Sequence, residues 1–184
     1  MVEIKNLKEI TLEEINAFGS TLYTSELKYE ISCRKSGDLI NFIMDLVKNP
    51  EEYIKYIDND IVTVTDYDMM IVHGYSLGAY HDGELIGFLI AEERTWNNSV
   101  WVEMIRVADD YKGNGIGSSM LSALESFAKV CCNRIIEIET QNTNVPAINF
   151  YKKNGYEFSG LNMTLYDPVE VGDEIAVFMS KGIR

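Results

Sequence analysis

Prolines are scarce in this chain, three in 184 residues, and no stretch approaches the roughly 18 uninterrupted apolar residues that a membrane-spanning helix needs. Neither a Pro-rich low-complexity protein nor a helical membrane protein is expected. Cysteines are equally few, Cys33, Cys131 and Cys132, two of them vicinal. They cannot all pair, which suits a reducing compartment better than a disulfide framework. The only histidines, His73 and His81, form no ligand cluster, so no metal is expected. Basic residues are in short supply as well, since 16 Lys and Arg against 29 Asp and Glu leave a net charge of −13. Such a surface repels polyphosphate backbones and offers no footprint for nucleic acid. It would draw a cationic small molecule, although a solubilising acidic face explains it equally well. The opening Met1-Val2-Glu3-Ile4-Lys5-Asn6 has no apolar signal core, and a cytoplasmic protein with no membrane partner is expected.

Hydrophobic residues at 46% and charged residues at 24% are ordinary for a globular protein. The chain shows no repeat and no Pro/Gly/Ser-rich linker, so the expectation is one domain over residues 1–184. Thr11 followed by Glu14 makes a capping-box pattern that opens a helix through about Phe18. Leu39, Phe42, Ile43, Leu46 and Val47 recur at helical spacing, which predicts a second helix from Ser36 or Asp38, ended by Pro50.

Beyond residue 76 the punctuation changes. Two apolar runs flank His81-Asp82-Gly83, and Asp-Gly is a favoured hairpin turn, so Leu77 to Tyr80 and Leu85 to Ala91 are expected as antiparallel strands. A turn at Asn97-Asn98 would lead into a further strand, Val100 to Val107. Ile116, Met120, Leu121, Leu124, Phe127 and Ala128 then recur as a helix stopping near Cys131. A strand is expected over Arg134 to Thr140, followed by a helix capped by Asn144 with Pro146 in its first turn and Asn154-Gly155 as its stop. Strands over about Tyr156 to Tyr166 and Glu174 to Ser180 complete an α+β or α/β arrangement around a sheet of mixed direction.

The segment Lys112-Gly113-Asn114-Gly115-Ile116-Gly117 joins a strand to a helix. A glycine-rich turn there exposes several backbone N–H groups at the positive end of a helix dipole, a natural seat for a pyrophosphate. A P-loop would need a lysine before Ser118, and a dinucleotide fingerprint would open a parallel βαβ unit instead of following a run of hairpins.

Val107 through Gly117 resembles the Gln/Arg-x-x-Gly-x-Gly/Ala pattern of the GNAT acetyltransferase superfamily, with Lys112 in the first position. Asn144-Val145-Pro146-Ala147-Ile148-Asn149-Phe150-Tyr151, running on to Gly155-Tyr156, is similar to that superfamily's second signature. The resemblance covers roughly Tyr75 to Ser180. It implies a twisted mixed sheet that opens between its fourth and fifth strands, with acetyl-CoA as acetyl donor. It further implies that Ile105, Arg106 and Val107 lie along the pantetheine arm and thioester, and that residues Lys112 to Ser118 cradle the pyrophosphate. Asn144 would touch the pantetheine, and residues 1–70 would build the acceptor side. Many members dimerise, so the resemblance allows a homodimer.

An alkylammonium must lose a proton before it attacks, and Glu103, on the strand leading to the glycines, is the candidate base. The departing thiolate needs a proton, and the Tyr151 phenol is the candidate acid. Glu139-Thr140-Gln141-Asn142-Thr143-Asn144, Met163 to Tyr166 and Glu174 to Phe178 resemble the streptothricin acetyltransferases, while Met104 and Met179-Ser180 depart from that group. The implied activity is acetyl transfer to a primary amine of a small cationic acceptor. A protein lysine or N-terminal acetyltransferase and a non-catalytic acyl-CoA-binding module are the alternatives. The acidic clusters Asp58-Asn59-Asp60, Asp66-Tyr67-Asp68 and Glu92-Glu93 carry no assigned role.

Overall fold

The computed structural model describes residues 1–19, 21–57 and 59–183. The chain forms two compact units, Met1–Ser20 with Ile57–Ile138 and Ser180–Arg184 in the first, and Thr21–Tyr56 with Glu139–Met179 in the second. No helix among the described residues is long and apolar enough to cross a membrane.

In the first unit, β1 (Val2–Asn6) pairs antiparallel with β4 (Leu77–His81), from Val2↔His81 to Asn6↔Leu77. Strand β4 pairs with β5 (Glu84–Arg94) across the expected turn, in which Asp82 and Gly83 take φ of 50° and 88°. Next comes β6 (Ser99–Val107), antiparallel to β5 and parallel to the start of β7 (Ile135–Gln141). The β6–β7 register stops at Val102↔Ile138 while β6 runs on to Val107, which is the expected opening of a mixed sheet. From Ile86 to Ala91, β5 is buried at every position, as a central strand covered on both faces must be.

Helix α1 (Leu12–Ala17) starts at Thr11 with both halves of the capping box formed. Helix α2 (Ile61–Ile71), which the periodicity did not announce, is capped by Asp60, whose carboxylate accepts the Thr63 N–H at 2.9 Å. The first acidic cluster thus contains a helix cap; Asp58 lies outside the described residues, and Asp66 and Asp68 ride on α2 itself. Val64, Tyr67 and Ile71 of α2 pack with Leu7, Ile10, Ile15, Phe18, Phe88 and Ile90 in one apolar cluster. Helix α3 (Ile116–Val130) buries Ile116, Met120, Leu121, Leu124 and Ala128 and ends at Cys131, as its spacing predicts.

In the second unit, β7 neighbours β9 (Ala176–Gly182), and β9 neighbours β8 (Glu157–Asn162). The first of the two final strands is shorter than expected, β8 stopping at Asn162, and the second is displaced by two residues, β9 running from Ala176 to Gly182 instead of from Glu174 to Ser180. Helix α4 (Val145–Lys153) starts at Asn144 and stops at Asn154, and a short α5 (Pro168–Val171) follows β8.

The helix expected from Ser36 to Val47 is not present. That segment belongs to a long hairpin of β2 (Thr21–Ser36) and β3 (Leu39–Tyr56), paired from Thr21↔Tyr56 to Ser36↔Leu39. Gly37-Asp38 is a two-residue turn with Gly37 at φ 60°, and turns of this kind join strands whose twist matches. Leu39, Ile40, Phe42 and Leu46 are 51–59% exposed, so the stripe is not a core-facing helix face. Pro50 sits where the register slips between Ser25 and Leu27, an irregularity that tolerates a missing N–H.

Candidate active site

On β6 the register passes from Ala91↔Val102 to Ile90↔Met104, leaving Glu103 as an extra residue. A bulge of this kind bends the strand and re-aims the side chain it carries. The exposed Glu103 carboxylate accepts the indole N–H of buried Trp101 at 2.8 Å, and the Arg94 guanidinium lies 3.8 Å above the Trp101 ring. Burial, and after it the Glu103 charge, push the Tyr67 phenol up to about 12. Glu103 thus stands exposed on a strand bulge, its carboxylate accepting the Trp101 indole N–H.

Ile105, Arg106 and Val107 follow on the same strand, paired with Leu89, Phe88 and Gly87. The Arg106 side chain points to the end of α1, donating from Nη2 to the carbonyls of Phe18 at 2.7 Å and Gly19 at 2.9 Å. Burial lowers its pKa. The backbone of Arg106 therefore remains the part suited to a ligand on this strand, the side chain being committed to the helix end.

After a turn of 3-10 helix (Asp109–Tyr111) the chain reaches the glycines. Gly113 and Gly115 both take φ of 79°, a left-handed conformation that costs a side chain dearly. Gly115 is the N-cap of α3, and no side chain caps that end. The first N–H groups of a helix have no partner within it, so Ile116, Gly117 and Ser118 offer backbone donors along the helix axis. A Cβ added at Gly113 or Gly115 would meet no protein atom within 4 Å. Asn114 braces the turn by donating to the carbonyls of Tyr111 at 3.2 Å and Lys112 at 3.4 Å. Lys112 pairs with Asp109 at 2.5 Å, so its ammonium is engaged beside the turn. Backbone donors, a dipole and close approach without side chains fit a pyrophosphate.

Asn144 and Tyr151 belong to the second unit. Asn144 donates its N–H to the Gln141 carbonyl at 2.9 Å, and its side-chain oxygen accepts the Ala147 N–H at 3.1 Å, capping α4. Tyr151 is buried on α4, its ring 5.3 Å from Phe150 and 6.0 Å from Tyr156. Burial, reinforced by the Glu139 charge, raises its phenol well above the usual range, so it holds its proton at neutral pH.

One cluster has no signal in the sequence. The Glu174 side chain is 2% exposed and accepts from Tyr53 at 2.5 Å, Lys55 at 2.8 Å and Thr143 at 3.2 Å, with Tyr23 at 3.4 Å. It ties both strands of the hairpin to the β7–α4 link. Such a buried carboxylate is tolerated because it is paired and fully hydrogen-bonded.

Residues 40–156 match the acetyltransferase (GNAT) family. A streptothricin acetyltransferase of Streptomyces lavendulae is 34% identical over 54% of this chain, which spans only 52% of that relative's length. The solved nourseothricin acetyltransferase shares the fold over 100% of this chain and 99% of its own, with a TM-score of 0.77 and 24% identity. A protein of Bacillus anthracis str. Ames, solved in complex with acetyl coenzyme A, covers 99% of both chains with a TM-score of 0.72 and 23% identity.

Proposed function

The chain belongs to the acetyltransferase (GNAT) family, and from that premise we propose that it transfers an acetyl group from acetyl-CoA to a primary amine of a small cationic acceptor of the streptothricin kind. The observation that carries this reading is the glycine turn, in which Gly113 and Gly115 take positive φ and Gly115 leaves the start of α3 without a side-chain cap. The sequence likeness to the S. lavendulae enzyme supports the acceptor class.

Bound acetyl-CoA supplies the acetyl group as a thioester. The N–H groups from Gly113 to Ser118 hold its pyrophosphate, and the β6 backbone from Ile105 to Val107 holds the pantetheine arm. Glu103 takes the proton of the acceptor ammonium, directly or through a water, so that a neutral amine attacks the thioester carbonyl. Tyr151, whose phenol carries its proton at neutral pH, gives that proton to the departing thiolate. The acidic surface gathers the cationic acceptor.

Free-thiol release from acetyl-CoA, followed over a panel of streptothricin, spermidine and peptides, tests the reading. Turnover of small cationic amines that falls in Glu103→Gln and Tyr151→Phe supports it. Turnover of peptides alone would move the acceptor to protein amines, and binding of acetyl-CoA without any turnover would leave a binding module.

A further inference from the structure

An exposed glutamate has enough rotatable bonds to scatter its carboxylate over many positions, yet a proton acceptor must stand within hydrogen-bond reach of one ammonium. Glu103 is exposed, and two neighbours in the same unit narrow its freedom. The indole N–H of Trp101 donates to Glu103 Oε2 at 2.8 Å, and the indole is only 9% exposed, so packing fixes the donor. The bulge supplies the approach. Glu92 pairs with Trp101 and Ala91 with Val102, after which Ile90 already pairs with Met104, so Glu103 leaves the ladder. Arg94, paired with Ser99, is the diagonal neighbour of Trp101 on the adjoining strand, and its guanidinium lies 3.8 Å over the ring. A cation on that face draws on the π-electrons and strengthens the N–H as a donor, because each contact in such a chain polarises the next.

We infer that Arg94 and Trp101 are positioning residues for the base, and that Glu103 Oε1, the oxygen the indole leaves open, takes the proton of the acceptor. The inference rests on the proposed function, in which Glu103 is that base. An indole N–H only donates and carries no charge, so it orders the carboxylate without neutralising it. A guanidinium bound directly to Glu103 would pair with both oxygens at once and leave neither for the acceptor. Among the described residues Arg94 and Glu103 form no such ion pair; the cation stands over the ring instead and orders the group that orders the carboxylate. Packing alone would be served nearly as well by a phenylalanine at position 101, and that difference is measurable.

The test is steady-state turnover of streptothricin with acetyl-CoA by Trp101→Phe, Arg94→Met and Arg94→Lys, each alone and combined with Glu103→Gln. Phenylalanine keeps an aromatic face for Arg94 and removes the N–H. Trp101→Phe is expected to lower kcat about tenfold, the worth of a hydrogen bond to a charged group, with KM for both substrates within about twofold of wild type. Arg94→Met should lower kcat about threefold, and lysine, which keeps the cation, should restore most of that loss. In the Glu103→Gln background the same substitutions should change kcat by less than about twofold, because no base remains to be positioned. A Trp101→Phe rate within about twofold of wild type, or an equal loss with and without Glu103, would overturn the inference and leave a packing role. If Trp101→Phe does not fold, Arg94→Met, made at a half-buried side chain outside the core, decides the question through the same cycle. The proposed function is judged apart. Turnover that Glu103→Gln leaves unchanged removes the base and this inference with it, while acetyl transfer stands; a wild type that turns over no acceptor removes both.

Discussion

Trp101 donates its indole N–H to Glu103, two residues further along the same strand and on the bulge, at 2.8 Å. The bond holds the carboxylate in place without neutralising it. In Glu103→Gln the amide oxygen can still accept that bond but takes no proton from the acceptor. The variant is expected to fold normally and to lose about 100-fold in kcat/KM for the acceptor at neutral pH. A pH–rate profile checks this, and the deficit should shrink as pH approaches the pKa of the amine.

Tyr151→Phe removes one hydroxyl from a ring that stays packed between Phe150 and Tyr156. A fall in kcat of about 100-fold is expected with an unchanged KM for acetyl-CoA. Because burial and the Glu139 charge raise this phenol, wild-type Tyr151 stays protonated and the deficit should be the same from about pH 6 to pH 9.

Gly115→Ala isolates backbone conformation from crowding, since the new Cβ meets no protein atom within 4 Å but φ is 79°. Forcing an L side chain into the left-handed region costs about 1–2 kcal/mol. Thermal unfolding should therefore shift down by a few degrees. Acetyl-CoA binding should weaken by more than this loss of stability implies, because the added methyl stands where the turn offers its donors.

Glu174→Ala leaves Lys55, Tyr53, Tyr23 and Thr143 around a removed charge. Breaking a buried pair from one side costs about 3–5 kcal/mol. Urea denaturation should show a loss of that order. In Glu174→Ala/Lys55→Met the stranded ammonium is gone too, and part of the stability should return.

What was legible in the sequence was local chemistry. The Thr11 capping box, the Asp82-Gly83 turn, the α3 stripe and the Asn144 cap each specify their conformation within a few residues, and all four are present. The hairpin was misread because Leu39, Phe42, Ile43, Leu46 and Val47 satisfy a helical period, while the decisive signal lay in the Gly37-Asp38 turn and in pairing with β2. The bulge at Glu103 is a property of register, and register appears only when β5 lies alongside. Glu174 draws its partners from Tyr23, Tyr53, Lys55 and Thr143, far away in the chain, and no spacing rule connects them. Of the proposed site, the glycines were readable because the positive φ of Gly113 and Gly115 is a conformation that the residue type itself signals. The commitment of the Arg106 guanidinium to the end of α1 was not, since it depends on where α1 ends in space.

The pairing of Val2 with His81 bears on how the chain is made. During synthesis β1 leaves the ribosome before its partner strand, which follows only after the whole hairpin and α2 have emerged. Meanwhile β2 and β3 zip onto each other by local contacts, which form fast because little chain entropy is lost in closing a short turn. The β1–β4 edge of the first unit is therefore completed by a segment that has waited unpaired. Slowing translation after residue 81 should help newborn chains, whereas a pause before it would prolong the interval in which β1 is open to the wrong neighbour.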